Sequence, residues 1–175
     1  MNLNRIAIVA LALGLVGCST LQLSTDYAPG TDFTKYKSFR IKRGATKNPI
    51  AAERVENALT NALQARGFQR VAEGGDLTVF SHFVLGKETQ FTTTGYGYGG
   101  WRGWRWGGGM QTTTVERIPT GTLVVDLVDA QTKTVIWRGI AKDRISMTAT
   151  PEERDAKANE VAKKLFEGFP PQAKK

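Results

Sequence analysis

Apolar side chains recur along this chain with two different periods, and each period predicts a different kind of element. Between Leu21 and Tyr27 apolar and polar residues alternate, which predicts a first strand. Five further stretches, rich in β-branched and aromatic residues, predict strands at residues 38–41, 68–71, 77–85, 121–129 and 134–147. The sequence therefore predicts a sheet that uses much of the chain.

Two other stretches have the helical period. Asn48 followed by Pro49 predicts a helix start, and Gly67 its end. Thr150 and Glu153 form a capping box that predicts the start of a second helix. The apolar stripes of these helices are Val55, Ala58, Leu59, Ala62 and Leu63, and then Ala158, Val161, Ala162, Leu165 and Phe166. The predicted fold class is α+β, with a mostly antiparallel sheet, both amphipathic helices on one face and an exposed Gly/Trp-rich hairpin tip.

The strands at 121–129 and 134–147 form the strongest predicted hairpin. One face of the first strand carries Leu123, Val125 and Leu127, and the other carries Val124, Asp126 and Val128. Apolar residues on both faces predict a central strand. Asp126 can pair with Arg138 in one of two possible registers, and Asp129 suits a cap for the polar turn at 130–133.

The N-terminus has the layout of a secretory signal. A short cationic start, residues 1–5, precedes an apolar core, residues 6–16, which is too short to span a bilayer as a stable helix. Cys18, the only cysteine, follows Leu15, Val16 and Gly17, and this pattern resembles the lipobox of bacterial lipoproteins. The resemblance implies a signal peptide over residues 1–17 and an acylated Cys18. The alternative is a plain signal peptide with a chance cysteine.

An acylated Cys18 predicts a permanent membrane anchor, because three acyl chains bury many methylenes at about 0.8 kcal/mol each. Ser19 stands where an inner-membrane retention signal usually has Asp, which favours the periplasmic side of the outer membrane. Residues 18–24 then form a short tether that merges into the first strand, so we expect the domain close to the lipid. The net charge of +8 favours an anionic surface.

A glycine-rich segment separates two threonine-rich stretches of equal length. Residues 90–94 and 111–115 predict the arms of a hairpin, and residues 95–110 its tip, whose glycine density predicts a backbone without a fixed conformation. The candidate membrane-binding or ligand-binding side chains of the tip are Tyr96, Tyr98, Trp101, Arg102, Trp104, Arg105 and Trp106.

Several stretches together resemble a known family. They lie at residues 26–27, 32–33, 36–39, 62–68, 76–77, 121–129 and 135–139, and a Gly/Tyr/Trp-rich insertion precedes the last two. This pattern resembles bacterial envelope lipoproteins of the domain-of-unknown-function family 4136. The resemblance covers residues 25–168, which we predict to form a single domain followed by a C-terminal tail, residues 169–175. It implies an α+β envelope lipoprotein and transfers no activity, ligand or catalytic residue.

Catalytic chemistry has little support in this sequence. His82, the only histidine, lies in a predicted strand and is expected to be a partly buried structural residue. One histidine and one lipidated cysteine cannot build a familiar zinc site, and we expect no metal, no cofactor and no enzyme activity. Asp126, Asp129 and Asp143 are candidates for a carboxylate cluster, which leaves a carboxylate-based hydrolase as the less favoured alternative.

The tip supports two classes of function. Its indoles and arginines suit a membrane interface with anionic lipid. They also suit a binding module for a glycan, such as peptidoglycan or lipopolysaccharide, or for an envelope protein. Single-stranded nucleic acid fits the composition, but the signal peptide argues against it. A further alternative is that the loop folds back and covers the domain's own sheet.

Overall fold

The computed structural model describes residues 20–43, 48–96 and 110–171. This part of the chain contains six strands and two α-helices. The strands are β1 (Gln22–Tyr27), β2 (Ser38–Arg43), β3 (Gln69–Arg70), β4 (Leu77–Tyr96), β5 (Met110–Asp129) and β6 (Val135–Arg144). The helices are α1 (Pro49–Gln64) and α2 (Pro151–Leu165), and a short 3-10 turn lies at Phe33–Lys35. The fold is α+β, as predicted.

The strands form one six-stranded sheet in the order β1-β6-β5-β4-β2-β3. The prediction of a mostly antiparallel sheet is wrong, because β2 runs parallel to both β3 and β4. Helix α1 explains the difference: it carries the chain back along the sheet after β2, so β3 and β4 run in the same direction as β2. The other three pairings are antiparallel, and the sheet is mixed.

Both helices begin at the predicted caps. The Asn48 side chain accepts a hydrogen bond from the backbone nitrogen of Ala51 at 3.0 Å. At α2, the Glu153 backbone nitrogen donates to the Thr150 hydroxyl at 3.2 Å, and the Thr150 nitrogen donates to the Glu153 carboxylate at 2.8 Å. Such caps satisfy the first amides of a helix, which have no partner inside it.

The core lies between the two helices and one face of the sheet, which confirms the prediction that both helices cover the same face. Trp137 of β6 stacks on Phe166 with ring centroids 4.9 Å apart. Its indole lies over Gly139, where a Cβ atom would come within 2.4 Å of the ring. Phe169, just beyond the predicted domain boundary, packs edge-on against both rings and is buried.

Strands β4 and β5 are twice as long as predicted, because each continues into a threonine-rich stretch. Their pairing runs without interruption from Leu77↔Asp129 to Tyr96↔Met110. We name residues 86–96 and 110–120 the arm. Within the described residues, the ladder between β5 and β6 ends at Thr120, so the arm is a two-stranded ribbon beyond the sheet. Residues 97–109, which contain most of the predicted tip, lie outside the described part of the chain.

Candidate functional site

The arm and the N-terminal chain leave the sheet at the same end. Strand β1 begins at Gln22, in one row with Lys142 of β6, Thr122 of β5 and Val84 of β4. The arm starts two rows beyond, at Gly86. At 3.4 Å per residue it extends about 34 Å. Because β1 runs away from the arm, the residues that precede β1 lead towards it.

The start of the described chain is tied to the sheet at this end. The Thr20 hydroxyl donates a hydrogen bond to the Asp143 carboxylate of β6, and Leu21 packs against the core. Cys18 lies outside the described residues and precedes Thr20 by two positions in the sequence.

A groove opens between α1, α2 and the helix-facing side of the sheet, also at the arm end. Its volume is about 770 Å³. Its lining is mostly apolar and includes Leu21, Val55, Phe83, Leu123, Ile145 and Val161. Ile50, Leu85 and Met147 at its margin are 70%, 60% and 73% exposed. Large apolar side chains that surround a concave surface mark it as a candidate binding site.

Polar interactions hold the margin of this groove. Arg54 of α1 forms an ion pair with Asp155 of α2 and so joins the two helices. The Arg154 guanidinium donates to the backbone oxygens of Ala149 at 3.0 Å and Met147 at 3.2 Å. These bonds fix the segment between β6 and α2 as one wall of the groove.

One ion pair lies within the groove lining. The Lys157 ammonium stands 2.8 Å from the Asp143 carboxylate. Burial alone raises the pKa of Asp143, but hydrogen bonds from Lys157 and Thr20 outweigh burial, and the pKa lies below its ordinary value. Burial lowers the pKa of Lys157, yet Asp143 and Glu160 leave it raised. Both groups therefore stay charged at neutral pH, which suits a structural role rather than proton transfer.

The three candidate carboxylates do not form a cluster. Asp126 lies on the sheet face that the helices leave open, where Arg138 donates to it at 2.6 and 2.8 Å. Asp129 lies at the far end of β5, and Asp143 pairs with Gly121, eight residues away along the strand. Strand geometry separates these two levels by about 27 Å.

Asp129 has the turn-capping role that the sequence predicts. Its carboxylate accepts hydrogen bonds from the backbone nitrogens of Gln131 at 2.8 Å and Thr132 at 3.1 Å. It also accepts one from the Tyr36 hydroxyl at 2.7 Å. The Tyr36 bond and then the Thr132 bond hold the pKa of Asp129 well below its usual range. A carboxylate so fully bonded stabilises the turn and has no proton to exchange at neutral pH.

The prediction of a partly buried His82 is wrong. The imidazole is exposed, because His82 points to the open face of β4, opposite Phe83 and the helices. Within residues 20–43, 48–96 and 110–171, no three His, Cys, Asp or Glu side chains converge as a metal site. In the same residues, no helix is both long and apolar enough to cross a bilayer.

The candidate side chains of the tip fall almost entirely outside the described residues. Tyr96 is the last residue of β4, where its backbone pairs with Met110. The remaining candidate residues all lie outside the described part; they are Tyr98, Trp101, Arg102, Trp104, Arg105, Trp106 and Cys18. The structure therefore locates the base of the tip but not its side chains.

Sequence reasoning missed the groove. The helical period places Ala158 and Val161 in the core stripe of α2. In the structure both are only partly buried, because they line the groove. Periodicity identifies the apolar face of a helix, but it cannot show whether that face meets another element or an open space. The one available signal is Met147, a large apolar residue at the end of the predicted strand 134–147 and beyond the observed end of β6.

Two solved proteins have a similar fold. A PDZ domain protein from Parabacteroides distasonis matches 89% of this chain with a TM-score of 0.59 and 12% identity. The chain spans only 38% of the length of that protein. The PelC dodecamer from Paraburkholderia phytofirmans matches 83% of this chain and 94% of its own, with a TM-score of 0.51 and 14% identity. At such identities the likeness shows the fold alone.

Comparison of sequences gives a narrower result. No curated protein matches the chain. A family model described as a domain of unknown function, DUF4136, matches residues 23–171, which include every helix and nearly every strand residue of the fold. The resemblance to family 4136 is confirmed, and the chain belongs to the DUF4136 family.

Proposed function

We propose that this protein is a non-enzymatic envelope lipoprotein that binds the membrane interface through the tip of its arm. An acylated Cys18 anchors it to the periplasmic side of the bacterial outer membrane. The observation that carries the proposal is that the arm and the chain leading to Cys18 leave the sheet at the same end. A membrane that holds the anchor therefore lies on the side to which the arm extends.

The distances support a shared surface. Only Ser19 separates Cys18 from Thr20, and two residues span at most about 7 Å, so an anchor on Cys18 would keep the arm end of the sheet close to the lipid. The arm extends about 34 Å past Gly86, several times the reach of the anchor, so its tip meets the headgroups when the arm lies strongly inclined from the membrane normal. An anchor at the opposite end would have placed the tip away from the bilayer.

The distribution of charge along the arm also favours an interface. Its charged residues are confined to the half nearest the sheet, at Lys87, Glu88, Glu116 and Arg117. The outer half, residues 90–96 and 110–115, has none. The tip beyond it combines three tryptophans with two arginines, and indoles favour the interface while arginines pair with lipid phosphates.

Vesicle binding tests the role of the tip. We expect a chain that starts at Ser19 to sediment with vesicles of anionic phospholipid. A variant in which Ala replaces Trp101, Trp104 and Trp106 together should bind these vesicles more weakly. The loss should exceed about tenfold, because three buried indoles contribute well over the ~1.4 kcal/mol that a factor of ten requires. A variant with Thr92→Ala and Thr113→Ala, in the paired arm, is the matched control. Equal vesicle binding by the tryptophan variant would rule out this use of the tip.

Acylation is tested separately in cells. A palmitate analogue should label the mature protein and should not label a Cys18→Ser variant. Mature protein that carries no label, and that is extracted without detergent, contradicts the anchor whatever the vesicle experiment shows.

A second candidate function is suggested by the edges of the arm. Among the described residues, the β2–β4 ladder ends at Arg43↔Ser81, so the arm continues past the ladders on both of its sides. Unpaired strand edges can accept a strand from a partner protein. The two functions are distinguished by capture of an envelope protein. If the tryptophan variant still captures such a protein and a variant without the arm does not, the arm binds a protein partner rather than the membrane.

A further inference from the structure

The groove begins where the described chain begins. Leu21 is part of its lining, and Thr20 is bonded to Asp143, another lining residue. Cys18 precedes Leu21 by three residues, a length of chain that spans at most about 10 Å. An acyl chain attached to Cys18 is long enough to reach the groove from there.

The lining is mostly apolar, which suits a hydrocarbon. Each charged residue of the lining already has a partner within the chain. The pairs are Arg54 with Asp155, Lys157 with Asp143, Arg144 with Gln90, Arg154 with the oxygens of Met147 and Ala149, and Glu153 with Thr150. Arg144 and Arg154 bond only to neutral oxygens, so a free fatty acid or phospholipid with an anionic group is the competing occupant that the crosslinking test must separate. An acyl chain on Cys18 brings only its methylenes.

The size of the groove agrees with such an occupant. Its volume of about 770 Å³ lies within the range of cavities that enclose small ligands. The exposed side chains of Ile50, Leu85 and Met147 surround it and would be covered by a chain lying between the helices and the sheet. Each methylene moved from water into such a site contributes about 0.8 kcal/mol.

We propose that the groove holds one acyl chain of the lipid on Cys18 while the protein is in water. The inference rests on the proposed acylation of Cys18. In a bilayer the same acyl chain gains no free energy by entering the groove, because lipid tails are as apolar as the lining. The groove is therefore filled in water and is vacated when the protein meets a membrane.

Photo-crosslinking of the mature, full-length lipoprotein tests this inference. Cells are fed a palmitate analogue that carries a diazirine, and the protein is moved from detergent into detergent-free buffer before irradiation. Mixing isotopically heavy and light chains distinguishes crosslinks within one chain from crosslinks between copies. We expect the Cys18 peptide to be joined, within one chain, to peptides that contain Phe83, Leu123 or Val161, and the yield to fall when phospholipid vesicles are added.

Two variants that fill the groove sharpen the test. Ala158→Trp on α2 and Ala51→Trp on α1 place an indole in the groove, whereas Ala156→Trp places one on the exposed face of α2. The first two should lower the crosslink yield about tenfold, the change expected when roughly two methylenes lose their burial. The third should not change it. Thermal unfolding of all three shows whether each variant folds, and either groove variant suffices.

Every other result overturns the inference. Crosslinks between copies assign the groove to a second copy of the chain, and crosslinks to phospholipid assign it to membrane lipid. An acylated Cys18 that never reaches the groove contradicts only this inference and leaves the proposed anchor intact. A mature protein whose mass shows no acyl group contradicts both.

Discussion

The two halves of β4 and β5 have the same backbone pairing and opposite surroundings. In the inner half, residues 77–85 and 121–129, both helices cover one face, and Val125 is fully buried. In the arm, ten residues earlier on the same strand, Val115 is 54% exposed. Cross-strand hydrogen bonds continue throughout, so pairing alone does not distinguish the halves. The inner half is stabilised by packing, which the arm lacks.

This difference shows where stability and function are separated. A two-stranded ribbon is at best marginally stable in water, whereas burial of apolar side chains makes the inner half rigid. The arm can therefore bend, or bind a membrane or a partner, at little cost to the folded domain. The domain body shows the same separation within α2. The end of the helix next to the buried Phe166 is tightly packed, whereas its first turns line the groove.

Hydrogen exchange should show the largest contrast. We expect amides of the arm to exchange at least about a thousandfold faster than those of residues 77–85 and 121–129, because local opening of a ribbon costs far less than global unfolding. Exchange followed by mass spectrometry gives both rates on one sample. Equal protection in the two halves would mean that a partner or a second copy covers the arm.

The largest mutational effect is expected in the aromatic core. Trp137→Ala removes the ring that stacks on Phe166 and should lower the free energy of unfolding by about 3–5 kcal/mol. Phe91→Ala in the arm, where the ring is 68% exposed, should change it by no more than about 0.5 kcal/mol. Urea unfolding measures both. A comparable loss in the two variants would contradict the division between packed body and unpacked arm.

A closer comparison uses one residue type on one strand. Val125→Ala leaves a small cavity under the helices and should cost about 2 kcal/mol. Val115→Ala removes the same atoms from an exposed site and should stay within about 0.5 kcal/mol. The difference between the two thermal unfolding curves then isolates the contribution of burial to stability, since the two sites share the strand, the side chain and the pairing pattern.

The smallest effect concerns the end of the sheet opposite the arm, where a charge takes part in stability. Asp129→Asn should cost about 2 kcal/mol at neutral pH, because the hydrogen bonds from Tyr36 and the turn are made to a charged group. The folded protein lowers the pKa of Asp129, so this contribution is complete above the ordinary value of 3.8 and is lost as the pH falls below it. The stabilities of wild type and variant should therefore converge in acid. A gap that stays constant down to pH 2 would show that the charge is not responsible.

Much of the fold follows from local sequence. Asn48 and the Thr150–Glu153 box mark the helix starts, and the stripe ending in Leu165 and Phe166 marks a buried face. The hairpin register that joins Asp126 to Arg138 is one of the two that the sequence allows. These predictions succeed because each depends on hydrogen bonds and side-chain periods within a few residues.

The candidate site follows from sequence much less completely. Which carboxylates meet depends on strand register and sheet face, and Asp126, Asp129 and Asp143 are separated by both. The exposure of His82 depends on the helices covering only the other face of β4. Local patterns do not contain these relations, because they arise from residues far apart in the chain.

Short-range patterns were thus enough to specify the helices, the turns, the central hairpin and the family. The parallel pairing of β2 with β4, the groove beside Leu21 and the common direction of the arm and the N-terminal chain were settled by long-range packing. The physical reason is that caps and turns satisfy the backbone locally, whereas the direction and spacing of whole elements follow from how their apolar faces are buried together.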